Sequence, residues 1–208
     1  MHNVEKRIKE EEDIRPQPFD LNKCHESQVL FQMFQRDYQN LAREMEILIH
    51  VKDDLIIFVK KVMEKTKKRE EQKVYLPVPQ YIDYFQKIKY AFNLLGKTSH
   101  FLEQSSVQEL VCSFFQSLEY VIYYCPDGKT LPKQINSPLL TDNAINLLKK
   151  NLENNQIEYW KELDIAWNIS RNNWPSDEAI PPAYTPTFYD GWKLPEIHHE
   201  PVKTVEKD

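Results

Sequence analysis

Apolar side chains at Leu30, Phe34, Leu41, Leu48, Val51, Leu55, Phe58 and Val62 recur at steps of three and four residues or their sum. That period puts them on one stripe of a helix, because residues three, four and seven apart share a face. The stripe predicts an amphipathic helix over residues 27–70. Such a helix exceeds the usual globular length, so it is either broken or packed as a coiled-coil arm. Its end carries Lys60, Lys61, Lys65, Lys67, Lys68 and Arg69, cations that suit the unpaired carbonyls of a helix C-terminus.

Pro77 and Pro79 separate this helix from a second stripe, Ile82, Phe85, Ile88, Phe92 and Leu95. Gly96 costs about 1 kcal/mol inside a helix, so the second helix ends there or continues weakly to Leu102. Ser106 and Glu109 have capping-box spacing and introduce a third helix with Val107, Leu110, Val111, Phe114, Leu118, Val121 and Ile122 on one side. Pro126-Asp127-Gly128 stops it with a turn, and residues 129–137 form a loop. Thr141 or Asp142 opens a fourth helix with Ile145, Leu147 and Leu148, broken at Asn154-Asn155. A fifth, over 156–173, carries Ile157, Trp160, Leu163 and Trp167, and Pro175 ends it.

The expected architecture is all-α: an irregular bundle of about five helices with a Pro/aromatic-rich C-terminal extension. Residues 1–25 form a charged arm, 26–174 the bundle and 175–208 the extension. Its aromatic part is expected to fold back onto the helices, anchored by Phe188 and Trp192, with the last ~12 residues mobile. The chain of 208 residues, 41% hydrophobic and 28% charged, is globular in composition. Only 3 glycines argue against phosphate loops and tight hairpins. A net charge of −5 supplies no global basic field for nucleic acid. No apolar run reaches the ~18–20 residues of a membrane span, and the charged start is not a signal peptide. Cys24, Cys112 and Cys125 have no metal-ligand spacing and read as reduced thiols.

Candidate chemistry is sparse. His50 and Asp54 lie one helical turn apart and could touch, but no third ligand converges on them, and an exposed pair on one face explains the spacing. His198-His199 sits in a Pro-flanked tail and reads as solvated. No nucleophile elbow is present, so the chain is read as a non-enzyme without cofactor or metal. Trp160, Trp167 and Trp174 are spaced by heptads. They read as core rather than as a ligand cage, since each buries a large apolar area. Pro181-Pro182-Ala183-Tyr184 has the PPxY form read by WW domains. Of Tyr120, Tyr123 and Tyr124, which could accept phosphate, at least one is expected to be buried. Leu48 and Leu55 on the first helix, Lys67 and Lys68 at its end, and Pro181, Pro182 and Tyr184 are the candidate protein-binding residues.

Four stretches resemble the epidermal growth factor receptor kinase substrate 8 family of adaptor proteins. They are ILIHVKDDLIIFVKK at 47–61, DYFQKIKYAFNLLGK at 83–97, SPLLTDNAINLL at 137–148, and the run from Trp160 to Trp192 with its W-x6-W-x6-WP spacing. Together they cover about residues 44–192. The resemblance is to the helical region between that family's phosphotyrosine-binding-type and Src-homology-3 domains. No strand-rich segment precedes residue 44 and no Src-homology-3 pattern follows Trp192, so this chain is expected to hold the helical region alone. The resemblance implies a scaffold module that links receptor tyrosine kinases to Rac/Rho signalling and, indirectly, to actin. Its expected place is the cytoplasm, at the cortex or membrane ruffles. A folded remnant without partners and a peripheral membrane-binding helical domain are the alternatives; the latter would use the Lys-rich helix end.

Overall fold

A computed structural model describes residues 21–67 and 75–195, with side chains from residue 28 onward. The predicted arm before residue 21, Lys68, Arg69, His198 and His199 lie outside the described residues. The described chain is helical and irregular: α1 (Leu21–Lys67), α2 (Val78–Thr98), α3 (Gln104–Tyr124), α4 (Asp142–Asn151), α5 (Asn154–Lys161) and the short α6 (Ile165–Asn168), with three 3-10 turns. One isolated bridge pairs Leu140 with Ser170. The chain divides into two units, residues 1–40 and residues 41–208.

In the second unit, Leu48, Val51, Leu55, Phe58 and Val62 of α1 are buried in one core with residues of α2, α3 and α4 and with Trp160 and Trp167. The period of the first stripe is therefore a core period there. In the first unit the same stripe is bare: Leu30 and Phe34 are exposed, and so are Phe31 and Tyr38.

Helix α2 is the central element. Pro77 at its N-cap and Pro79 in its first turn start it, since their missing amides lie where a helix has no acceptor to offer. Phe85, Ile88, Ala91, Phe92 and Leu95 are fully buried. Phe58 of α1 stacks on Tyr84 at 5.0 Å and meets the edge of Tyr81 at 5.3 Å. Tyr84 Oη lies 2.8 Å from Ser117 Oγ, which itself donates to the Phe114 carbonyl, so the buried phenol is satisfied.

Gly96 does not end α2, which continues to Thr98. Its role is steric. A Cβ at residue 96 would stand 2.7 Å from the Ala144 amide nitrogen and 2.9 Å from the Asn143 carbonyl carbon. Only a residue without a side chain lets the start of α4 approach so closely. Gly96→Ala is therefore expected to destabilise by about 1–3 kcal/mol through overpacking, although helix propensity alone would gain about 1 kcal/mol. Urea denaturation decides the sign; a gain in stability would show that α4 can move aside.

Three expectations about helix ends need correction. The Ser106–Glu109 capping box does not start α3, which begins at Gln104. Gln104 is tied there by bonds to Asn151 and Lys150, so Ser106 already lies inside the first turn. Asn154-Asn155 opens α5 rather than breaking a helix; the break falls at Leu152 and Glu153, where Gln156 Oε1 accepts from the Glu153 amide. The helix expected over 156–173 is interrupted after Lys161. Asp164 adopts φ +71° and its carboxylate accepts from the Ile165 amide, a local bond that competes with continuing the helix. The start of α4 is as expected, with Thr141 Oγ1 accepting from the Ala144 amide.

Candidate protein-interaction surfaces

The interrupted helix changes what the tryptophans do. Trp160 and Trp167 are buried, but not as two rungs of one stripe. Trp160 Nε1 donates to the Trp167 carbonyl at 2.9 Å, and Trp167 Nε1 donates to the Pro132 carbonyl at 2.8 Å. Trp174 is half-buried. The Trp167 ring also lies 5.1 Å from the ammonium of Lys89. Lys89 is fully buried, and donates to the carbonyls of Ile135 and Ala166, each at 2.7 Å. Burial pulls its pKa down to about 7. The two carbonyls and the ring face are what make a buried amine tolerable. Sequence reading passed over Lys89. The available signal was its place between Phe85 and Phe92, four residues after one and three before the other, on an otherwise apolar face.

The exit segment lies along α1 and α2, as the aromatic pattern suggested. Phe188 is buried, and Trp192 stacks on His50 with ring centres 4.0 Å apart. Gly191 at φ +77° makes the turn between them, a conformation that glycine adopts at little cost. His50 Nδ1 lies 3.1 Å from Asp190, so its carboxylate partner is in the exit segment rather than at Asp54. Asp54 instead accepts from the Tyr189 amide and pairs with Lys87 at 2.8 Å. Lys87 also bonds Asp83 at 2.7 Å. Asp54 and Lys87 are only 3% and 2% exposed. The ammonium groups of Lys61 and Lys87 face the Tyr189 ring at 3.9 and 4.6 Å, and Arg43 Nε donates to the Pro195 carbonyl. The polar residues of 43–61 and 83–87 thus clamp the exit.

The predicted binding residues separate. Leu48 and Leu55 are in the core, so they hold the bundle together and present no free face. Lys67 is exposed at the end of α1. In the PPxY string Pro181 is buried and Pro182 exposed, and the Pro182 carbonyl accepts from Ser137. Tyr184 packs against Tyr90 at 5.7 Å with its hydroxyl enclosed, and burial, ahead of nearby carboxylates, pushes its pKa up. A WW domain would have to lift this tyrosine off. Among Tyr120, Tyr123 and Tyr124 the structure distinguishes sharply: Tyr123 is 79% exposed and the other two are half-buried. Among the described residues no group of three or more His, Cys, Asp or Glu side chains could hold a metal ion. No described helix is long and apolar enough to cross a membrane.

Much of the uncovered apolar surface lies on α1. Between residues 28 and 40, Leu30, Phe31, Phe34 and Tyr38 are 65%, 63%, 80% and 70% exposed. Within residues 41–67, Ile49, Ile56, Ile57 and Met63 are also exposed, on the side of the helix away from Val51 and Phe58.

Residues 43–175 match the EPS8 spectrin-like domain. The chain is 41% identical over 163 residues to human epidermal growth factor receptor kinase substrate 8-like protein 3, covering 74% of this chain and 27% of that protein. The mouse protein of the same name is 40% identical over 165 residues, again 74% and 27% of the two chains. Human epidermal growth factor receptor kinase substrate 8 is 30% identical over 190 residues, 81% of this chain and 23% of that protein. The chain therefore spans about a quarter of the length of these relatives. No solved structure matches it significantly. With its central bundle coincident with the matched domain, the chain belongs to the epidermal growth factor receptor kinase substrate 8 family, and residues 43–175 are its spectrin-like domain.

Proposed function

We propose that this chain is a non-enzymatic adaptor or scaffold module that works through protein–protein contacts. The pathway is receptor tyrosine kinase signalling to Rac/Rho proteins and actin remodelling, at the cytoplasmic cortex and ruffles. Kinase substrates are what the relatives' names describe. The observation that carries the reading is the family's spectrin-like domain with so much apolar surface left uncovered on α1. Large exposed apolar patches mark contact sites. The buried polar groups support the same reading: Asp54, Lys87 and Lys89 are engaged in holding the fold, with none aimed at an open cleft.

The test is affinity capture from growth-factor-stimulated cells. The baits are the intact chain and a Leu55→Asp version, whose charge in the core unfolds the bundle. Intact chain should recover receptor tyrosine kinases or Rac-pathway proteins that the unfolded version does not. A folded intact chain that recovers neither class sinks the adaptor reading and leaves a folded remnant.

A further inference from the structure

The outward face of α1 within residues 41–67 has a pattern of its own. Ala42, Ile49, Ile56 and Met63 are seven residues apart, and Met45 and Val59 fall at the complementary positions three residues on. Such a spacing of apolar residues makes a seam for a second helix. It is not the seam used inside the bundle, which runs through Leu48, Val51, Leu55, Phe58 and Val62. Ala42, Ile49, Ile56 and Met63 are exposed, while Met45 and Val59 are half-buried. The polar members of the seam are Lys52 and Thr66, the latter turned back to donate to the Met63 carbonyl. A single lysine there sets register at some cost in stability.

The residues bordering the seam say what covers it. Glu46, Asp53, Lys60 and Lys67 also lie seven apart, one step beyond Met45, Lys52 and Val59. All four are exposed, and none makes a salt bridge among the described residues. Their order is acid, acid, base, base. A strip ordered in this way is complementary to itself when reversed. Turned end for end, a second copy sets Lys60 against Asp53 and Lys67 against Glu46, and the same two pairs form again by symmetry. Such two-fold contacts are self-complementary by construction. An acidic or a basic partner would match only half of the strip. From Glu46 to Lys67 the seam spans three heptads, roughly 32 Å at 1.5 Å per residue, which is within the range of a short coiled coil.

We propose that the outer face of α1 pairs antiparallel with the same face of a second copy of this chain. The contact is an interaction surface in its own right and does not depend on the adaptor reading. Analytical ultracentrifugation of the full chain reads it directly. The expected species is a concentration-dependent dimer, twice the 24.9 kDa of one chain. Ile49→Lys/Ile56→Lys should give a monomer that keeps the helical circular dichroism and a cooperative melt, because both residues are exposed; its Tm should no longer rise with concentration. Lys60→Asp should set two acids opposite each other at both symmetric sites and weaken the dimer roughly tenfold. Asp53→Lys/Lys60→Asp should restore it, since the reversed pair is again acid against base; a parallel pairing would show no such rescue. A chain that stays monomeric into the hundreds of micromolar range overturns the proposal. So does a dimer indifferent to the isoleucine changes, or one that the double charge reversal fails to rescue. In none of these cases is the adaptor reading touched, since that is read by which cellular proteins the chain recovers.

Discussion

Replacing Lys87 by methionine is expected to lower stability by about 3–5 kcal/mol, the usual cost of stripping one partner from a buried ion pair. For a chain of this size that is a fall in Tm of about 10 °C. The reason is the company Lys87 keeps. Its ammonium is the cation between Asp54 and Asp83, at 2.8 and 2.7 Å, and it also faces the Tyr189 ring. Without it, Asp54 would be an ionised carboxylate inside the protein with the Tyr189 amide as its remaining donor. Lys87→Met/Asp54→Asn should recover more than half of the loss, because an asparagine oxygen still accepts from that amide while the buried charge is gone. The exit segment should report the change locally. Hydrogen exchange at the Tyr189 amide is expected to quicken in Lys87→Met, as the clamp loosens before the bundle does. A loss below about 1 kcal/mol would mean that water reaches Asp54 and that the pair is not closed off.

Stability is expected to rise with pH from about 7 toward 10, and Lys89 is the reason. Burial depresses its pKa to about 7 from an ordinary 10.5. Between those values the unfolded chain holds a proton on this amine that the folded chain does not hold, so raising the pH favours the folded state. Below pH 7 both states are protonated and the penalty of burying the charge is fully present. The size is on the order of a few kcal/mol across the window, at 1.36 kcal/mol per pKa unit. Above pH 10 the slope should reverse. Burial pushes Tyr159 and Tyr189 up to about 12, and raises Tyr84 and Tyr184 as well. An unfolded tyrosine then loses its proton while the folded one keeps it, and stability falls. Urea midpoints at pH 7, 8, 9 and 11 test both limbs. Lys89→Met should remove the rise and leave the fall. A flat profile from pH 7 to 10 would show that the Ile135 and Ala166 carbonyls and the Trp167 ring hold the amine charged throughout.

The two lysines show why a helical stripe is an incomplete guide. Lys87 and Lys89 lie in the middle of α2, and each is more deeply buried than Leu48. A reading by apolar period puts Lys87 off the stripe, on the solvent side, and expects no charge at Lys89's place on the apolar face. Helix α2 is central, however, and packed on several sides, so beyond the Lys87–Asp83 pair within the helix its lysines found partners in other elements. Those partners are Asp54 from α1, and carbonyls from the Ile135 loop and the Trp167 turn. They lie 33, 46 and 77 residues away along the chain. No local spacing announces them.

By itself the sequence determined the all-α class, the first four helical segments of the bundle, the core tryptophans Trp160 and Trp167 and the folding back of Phe188 and Trp192. These follow from period, proline placement and the apolar area of large aromatics, properties that act over a few residues. Family membership was legible for the same reason, since the motifs are short and in order. Tertiary structure decided the rest. It made Gly96 a contact point for Ala144 rather than a helix end, and it placed Leu48 and Leu55 in the core instead of on a binding face. It broke the last helix at Asp164, and gave His50 and Asp54 separate partners in the exit segment and α2. Each outcome depends on which element lies opposite, and an amphipathic period fixes the face of a helix without naming its neighbour. On α1 the ambiguity is plainest: two apolar seams run along one helix, and only packing shows that the leucine seam is filled within residues 41–67 while the isoleucine seam is left open.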